Sequence, residues 1–114
     1  MAKRSVRLIH GKLEEVAAEI RRLEAAGYRV DAGPIRTAVG LRRLRESPPD
    51  AAVIDVSRAF AHGKDIGLAV RQFKETRRVP LIFVEADRAK SARLRRVLPD
   101  SMSCPWTRLR STLR

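Results

Sequence analysis

The stretch AAVIDVSR, residues 51–58, combines small and β-branched apolar residues with one carboxylate, Asp55. A near-continuous apolar run of this length is typical of a strand covered on both faces, as in parallel sheets. Two prolines, Pro48 and Pro49, precede the run and end the helical pattern before it. The stretch therefore predicts a buried strand with a single acidic side chain toward its carboxyl end.

The rest of the chain alternates between strand and helix patterns on both sides of this strand. In the first helix pattern Leu13, Val16, Ile20 and Leu23 recur at three- and four-residue spacing, and Gly27 follows where a helix C-cap is expected. The chain begins with a strand-helix-strand unit in residues 6–30 and a weaker helix in residues 34–50. The strand at 51–56 is followed by a helix marked by Ile66, Ala69, Val70 and Phe73 and by a strand in residues 79–87. A basic helix in residues 88–100, a strand near 102–104 and a helix from about Thr107 complete the order. The pattern predicts five strands that alternate with five helices.

This alternation indicates an α/β fold in which right-handed crossovers join parallel strands. We expect a single domain over residues 1–114, built as a flavodoxin-like (βα)5 three-layer sandwich with strand order 2-1-3-4-5. Ligands of such sheets bind beyond the carboxyl ends of the strands where the winding direction reverses, here between the first and third strands. His10 and Gly11 follow the first of these strands and Asp55 ends the other, so they are the candidate site residues.

The charge of the chain is high and uneven. Lys and Arg number 25 against 13 Asp and Glu, which gives a formal net charge of +12. Residues 88–114 carry eight basic side chains and one acidic side chain, which favours an anionic partner for this part of the chain. A single cysteine, Cys104, excludes an internal disulfide and a Cys-rich metal site. We read no signal peptide or membrane-spanning segment and expect a cytoplasmic protein without membrane contact.

Over nearly its full length the chain resembles the receiver domain of response regulators, the phosphoacceptor module of two-component signalling. The resemblance rests on residues 6–30, on PPDAAVIDVSR at 48–58 and on VPLIFVEA at 79–86. Gly63 matches the glycine that starts the third helix of the family, and Pro105 matches the proline after its fifth strand. The resemblance implies a CheY-like fold and makes Asp55 the equivalent of the phosphoacceptor.

The predicted pocket departs from the family pattern at most other positions. Receivers place two acidic residues after the first strand, a hydroxyl residue after the fourth and a lysine before the proline. The corresponding pocket positions here, together with Ser57 after the phosphoacceptor equivalent, are His10, Gly11, Glu85 and Cys104. Because Mg²⁺ prefers hard oxygen ligands, we expect no tight Mg²⁺ binding and no cofactor. The resemblance thus indicates an atypical, degenerate receiver, or pseudo-receiver.

Three hypotheses remain for Asp55. Its carboxylate is paired with His10, Lys12, Arg58 or backbone amides, or it is a competent phosphoacceptor. In the third hypothesis it joins His10 and His62 in a metal site with two histidines and one carboxylate. No phosphate-binding loop or nucleophile elbow occurs in the sequence, so we do not predict an enzyme.

The basic residues of the last two helices form the predicted partner-binding face. This face consists of Arg88, Lys90, Arg93, Arg95, Arg96, Arg108 and Arg110, with Arg114 beside them. Arginine forks suit carboxylates and phosphates. The leading hypothesis is a phosphorylation-independent module that binds an acidic protein surface in a two-component or phosphorelay context. The alternatives are phosphorylation at Asp55 and a basic nucleic-acid-binding protein.

Overall fold

The computed structural model describes residues 3–114, and its centre is one five-stranded parallel sheet. The strands are β1 (Ser5–Ile9), β2 (Arg29–Gly33), β3 (Ala51–Asp55), β4 (Leu81–Val84) and β5 (Met102–Cys104). Their order is β2-β1-β3-β4-β5, which confirms the predicted flavodoxin-like topology. Strand β3 is fully buried up to Ile54, as its apolar run predicts, and Asp55 at its end is half-buried.

Helices cover both faces of the sheet and give the predicted three layers. They are α1 (Leu13–Ala25), α2 (Ala38–Glu46), α3 (Phe60–Gln72), α4 (Arg88–Val97) and α5 (Leu109–Leu113). Helices α1 and α5 pack on one face, where Val16, Leu23 and Leu109 meet Leu8 and Val53. Helices α2, α3 and α4 pack on the other face around Phe83. None of the helices formed by residues 3–114 combines the length and hydrophobicity needed to span a bilayer.

The first crossover ends as its glycine predicts. Gly27 has a φ of 100°, a conformation that favours glycine, directly after the helical residues of α1. Its amide bonds the carbonyl of Glu24 at 3.0 Å, and the amide of Tyr28 bonds the carbonyl of Leu23 at 3.1 Å. These two bonds form the Schellman motif, which closes α1 and directs the chain into β2 beside β1.

Several predicted boundaries differ from the structure. The helix predicted in residues 34–50 spans Ala38–Glu46, the strand predicted in 79–87 spans Leu81–Val84 and the helix predicted in 88–100 spans Arg88–Val97. Strand β2 continues past Val30 to Gly33, because its backbone stays paired with β1 up to Ile9. The last helix begins as a 3₁₀ turn over Trp106–Arg108, in which the amide of Arg108 bonds the carbonyl of Pro105 at 3.0 Å. Only Leu109–Leu113 form an α-helix after it. The final helical layer is therefore shorter than the sequence pattern predicts.

Candidate functional site

The candidate site lies at the carboxyl edge of β1 and β3, where the winding of the sheet reverses. Ile9 pairs with Ile54 across these strands, so the chain leaves both strands at the same level and brings His10 close to Asp55. A cavity of about 180 Å³ opens at this edge. Its lining includes His10, Gly11, Asp55 and Ser57, four of the residues that the sequence places in the pocket.

The Asp55 carboxylate is held by the backbone. Its Oδ1 accepts a hydrogen bond from the amide N–H of Ser57 at 2.9 Å. Within residues 3–114, the side chains of His10, Lys12 and Arg58 neither donate a hydrogen bond to this carboxylate nor form an ion pair with it. Of the partners named from the sequence, the structure thus shows a backbone amide, and the second oxygen, Oδ2, remains available.

Arg58 pairs with Glu15 in place of Asp55. The Nε–H of Arg58 donates to Glu15 Oε1 and Oε2 at 2.8 Å each, and a second guanidinium nitrogen also contacts the Glu15 carboxylate. This hydrogen bond lowers the pKa of Glu15 from its usual value. The pair joins α1 to the loop after β3 at the mouth of the cavity. Sequence reasoning missed Glu15, although its place in the first turn of α1 puts it at this edge.

His10 is buried without a partner. Its side chain is 6% exposed, and neither Nδ1 nor Nε2 has a hydrogen-bonding partner among residues 3–114. Burial lowers the pKa of His10, and the positive charge of Arg7 lowers it further, while Asp55 opposes both. The imidazole is therefore held in its neutral form close to a carboxylate.

His62, the second histidine of the metal hypothesis, is hydrogen-bonded to the backbone. His62 Nε2 lies 2.6 Å from the carbonyl oxygen of Ile35, so the ring carries its proton on Nε2 and donates it there. His62 lines the same cavity as Asp55 and His10. However, no group of three His, Cys, Asp or Glu side chains within the described chain is placed to hold a metal ion. The two-histidine, one-carboxylate arrangement is not formed.

Glu85 and Cys104 lie outside the cavity lining. Glu85 follows β4, is exposed and has a φ of 64°. Cys104 ends β5 and is half-buried. Burial raises the pKa of the Cys104 thiol, a hydrogen bond with Thr112 opposes this rise, and the charge of Glu85 adds to it. The end of β5 therefore carries a neutral thiol with a carboxylate nearby.

The predicted partner-binding face is built on a capped helix. Asp87 Oδ1 accepts the backbone N–H of Lys90 at 2.8 Å, which fixes the start of α4. The Arg93 guanidinium carbon lies 4.9 Å from the centre of the Phe60 ring, and Lys90 Nζ lies 5.8 Å from it. These two cations are thus stacked on α3, while the other arginines of the face extend into solvent.

The rest of this surface combines free arginines with apolar side chains. None of the arginines of the face forms an ion pair within residues 3–114. Val97 at the end of α4 is 45% exposed, and Met102 at the start of the edge strand β5 is 41% exposed. The surface of α4, β5 and α5 therefore offers guanidinium donors next to exposed apolar contacts.

Comparisons with known proteins identify the fold. No protein-family model matches the chain, and no curated protein matches it in sequence. Among solved structures, a candidate response regulator from Chloroflexus aurantiacus J-10-fl matches with a TM-score of 0.77 and 17% identity over 98% of each chain. The receiver domain of a sensor histidine kinase from Pseudomonas aeruginosa PAO1, which holds a magnesium ion in its active-site cleft, matches with a TM-score of 0.75. It is 20% identical over 98% of this chain and 95% of its own. The chain has the CheY-like receiver fold.

Proposed function

We propose that this chain is an atypical, non-enzymatic receiver-like module of two-component or phosphorelay signalling that binds a protein partner without phosphoryl transfer at Asp55. The observation that carries the proposal is the end of β1. A buried neutral imidazole, His10, and a residue without a side chain, Gly11, occupy the positions where the receiver resemblance implies two carboxylates. The likeness of the fold to receiver structures supports the signalling context.

The side chains at this edge do not fit a magnesium ion. Mg²⁺ requires near-octahedral oxygen ligands, and carboxylates are the protein groups that supply them. Two carboxylates line the cavity, Asp55 and Glu15, but Glu15 is bound to Arg58 on both of its oxygens. His10 offers neutral nitrogens that are buried. A divalent ion at Asp55 would have to displace Arg58 to gain a second carboxylate.

A phosphoryl group on Asp55 also lacks the lysine that the receiver resemblance implies at the position of Cys104. Phosphorylation adds about −1.5 to −2 charges near neutral pH and needs donors to hold them. The position where receivers have a lysine is occupied by the neutral thiol of Cys104, and Arg58 forms an ion pair with Glu15. The structure gives the modified carboxylate one backbone donor, the amide of Ser57. These features support a carboxylate that stays unmodified.

The partner-binding face favours an acidic protein surface. Its arginines are exposed and form no ion pair within residues 3–114, and the same elements expose Val97 and Met102. Carboxylates satisfy guanidinium forks with two parallel hydrogen bonds, and the apolar side chains add area that is buried on binding. A partner with acidic residues around an apolar centre complements this surface better than a phosphate backbone, which offers no apolar contact.

Intact-mass measurement tests the independence from phosphorylation. The protein is incubated with acetyl phosphate and Mg²⁺, next to Asp55→Asn and to an authentic receiver as a positive control. We expect no adduct of about 80 Da on the unmodified chain. A stoichiometric adduct that Asp55→Asn abolishes would overturn the proposal and establish the competing function, a competent phosphoacceptor.

A further inference from the structure

We propose that the cavity at the carboxyl edge of β1 and β3 binds a small, flat nitrogen heterocycle with N–H donors, recognised by His10 and Asp55. This inference goes beyond the proposed function, which needs no ligand at this edge. It shares His10 and Asp55 with the argument against phosphoryl transfer, whereas the protein partner is proposed to bind the basic face of α4. Ligand binding at this edge, the mass adduct on Asp55 and partner binding at α4 are separate measurements, so the failures of the two proposals are distinguishable.

The walls of the cavity are largely apolar. Ile9 and Ile54 contribute from the sheet, and Pro34, Ile35 and Ala59 contribute from the adjoining loops. The volume of about 180 Å³ is below the range of roughly 300–1,000 Å³ that holds drug-sized molecules. A fused two-ring compound of about ten non-hydrogen atoms is the matching size.

His10 has ring nitrogens without a hydrogen-bonding partner among residues 3–114. The residue belongs to the cavity lining and is 6% exposed, and both ring nitrogens are buried. A buried polar group without a hydrogen bond destabilises the folded protein, so a ligand that hydrogen-bonds to this group removes that cost and binds more tightly. Because solvent does not reach either nitrogen, a turn of the ring about its Cβ–Cγ bond is needed to present one of them. The lowered pKa keeps this ring neutral.

Asp55 sets the polarity of the ligand. Oδ1 is bound by the amide of Ser57, whereas Oδ2 has no partner within the described residues. The other carboxylate of the lining, Glu15, is neutralised by Arg58. The Asp55 carboxylate therefore repels an anion and accepts hydrogen bonds from N–H groups. Arg36, an exposed residue at the same edge, is the remaining cation of the lining. A carboxylate next to a neutral imidazole and apolar walls selects an uncharged or weakly basic heterocycle.

Titration followed by NMR tests the site. The probe is 2-aminobenzimidazole, a fused heterocycle with several N–H donors, and the shape control is benzofuran, which has none. Protein labelled with ¹⁵N throughout and in its histidine rings reports the backbone and the His10 nitrogens together. We expect saturable shifts at residues of the cavity lining and a shift of a His10 ring nitrogen, with a dissociation constant below about 1 mM. Benzofuran is expected to bind at least about tenfold more weakly.

Two matched substitutions separate recognition from folding. Asp55→Asn keeps the shape of the side chain, loses the charge and should weaken binding at least about tenfold. Asp65→Asn makes the same change on an exposed carboxylate of α3 outside the cavity lining and should leave binding unchanged. The His10 ring signal is measured in the unmodified protein, so this readout does not depend on whether a variant folds. Absence of saturable shifts, shifts outside the cavity, equal binding of benzofuran, or equal binding by Asp55→Asn would each overturn the proposal.

Discussion

The surroundings of His10 oppose its charged form. Burial and the charge of Arg7 lower its pKa in the folded protein, and Asp55 offsets only part of this effect. In the unfolded chain the ring regains a pKa of about 6.5. Below that value the unfolded state binds a proton that the folded state does not, so acid shifts the equilibrium toward unfolding. The contribution of neutral His10 is fully present above the unfolded pKa and is lost as the pH falls toward the folded pKa.

The lowered pKa of His10 predicts a pH dependence of stability. The free energy of unfolding, measured with urea, should be lower at about pH 5.5 than at about pH 7.5. His10→Phe removes the titrating group while filling a similar space and should reduce the difference between the two pH values. An equal difference in the two proteins would show that groups other than His10 account for it.

Gly63 is a residue where one added carbon atom changes the packing of α3. A Cβ at this position would lie 2.7 Å from Val56 Cγ1 and 3.0 Å from Ile54 Cγ2. Both neighbours are buried, β-branched side chains of the core and have little freedom to move. The resemblance to receivers marked this glycine, and the structure gives its physical reason as close approach of the helix to the sheet.

We predict that Gly63→Ala destabilises the protein. The steric cost is about 1–3 kcal/mol, and alanine regains about 1 kcal/mol of helix propensity. The expected result is a net loss of up to about 2 kcal/mol in urea unfolding. Gly11→Ala is the control, because a Cβ there has no heavy atom within 4 Å. A Gly63→Ala protein as stable as the control would contradict the packing argument.

At the scale of elements, helix α4 depends on its amino-terminal cap. The helix carries arginine and lysine throughout and has no acidic residue in its first turn. The Asp87 side chain supplies both a hydrogen bond to the Lys90 amide and a negative charge at the positive end of the helix dipole. Five residues of the partner-binding face lie on α4, so the cap also positions the proposed partner surface.

Asp87→Ala should cost about 0.5–2 kcal/mol of stability in thermal or urea unfolding. Asp87→Asn keeps a side-chain acceptor of good capping ability and should retain most of the stability. The amides of Lys90 and Ser91, which bond the Asp87 side chain and carbonyl, should lose protection from hydrogen exchange in the alanine variant alone. Equal stability of the alanine and asparagine variants would indicate that the side-chain bond contributes nothing.

Elements were predictable from the sequence to different degrees. The apolar runs of β3 and β4 and the periodic face of α1 are strong local signals, and these elements lie where the patterns predict. The end of β2 was not predictable, since its extension to Gly33 depends on pairing with β1 and not on its own residues. The last helix is shortened by the 3₁₀ turn after Pro105, a choice that local periodicity does not specify.

At the scale of the whole molecule, the alternation of elements predicted an open parallel sheet, and the flavodoxin-like strand order expected for it placed β1 beside β3 in advance. The contacts of the site were not predictable. The partner of Arg58 is Glu15, 43 positions away, and both side chains are on the surface. Sequence spacing could not choose between Glu15 and Asp55. The burial of His10 likewise depends on how the loops close over the edge.

The last prediction concerns the charge distribution of the whole molecule. If the partner-binding face and not the total charge of +12 directs association, position should matter at equal charge. Arg95→Glu with Arg96→Glu changes α4, and Arg21→Glu with Arg42→Glu makes the same charge change on exposed residues of α1 and α2. Binding of a labelled peptide rich in Glu and Leu should weaken about tenfold or more in the first variant alone, because two contacts become repulsive.

The same variants decide between a protein and a nucleic acid as the partner class. Double-stranded DNA bound by about six arginines would show a slope of log affinity against log salt of roughly −5. We expect the acidic peptide to retain binding at salt concentrations that abolish DNA binding, since Val97 and Met102 add apolar contact that salt does not screen. Preference for DNA over the peptide, lost in the α4 variant, would establish the nucleic-acid function instead. Equal weakening in both charge variants would show that neither ligand recognises this face.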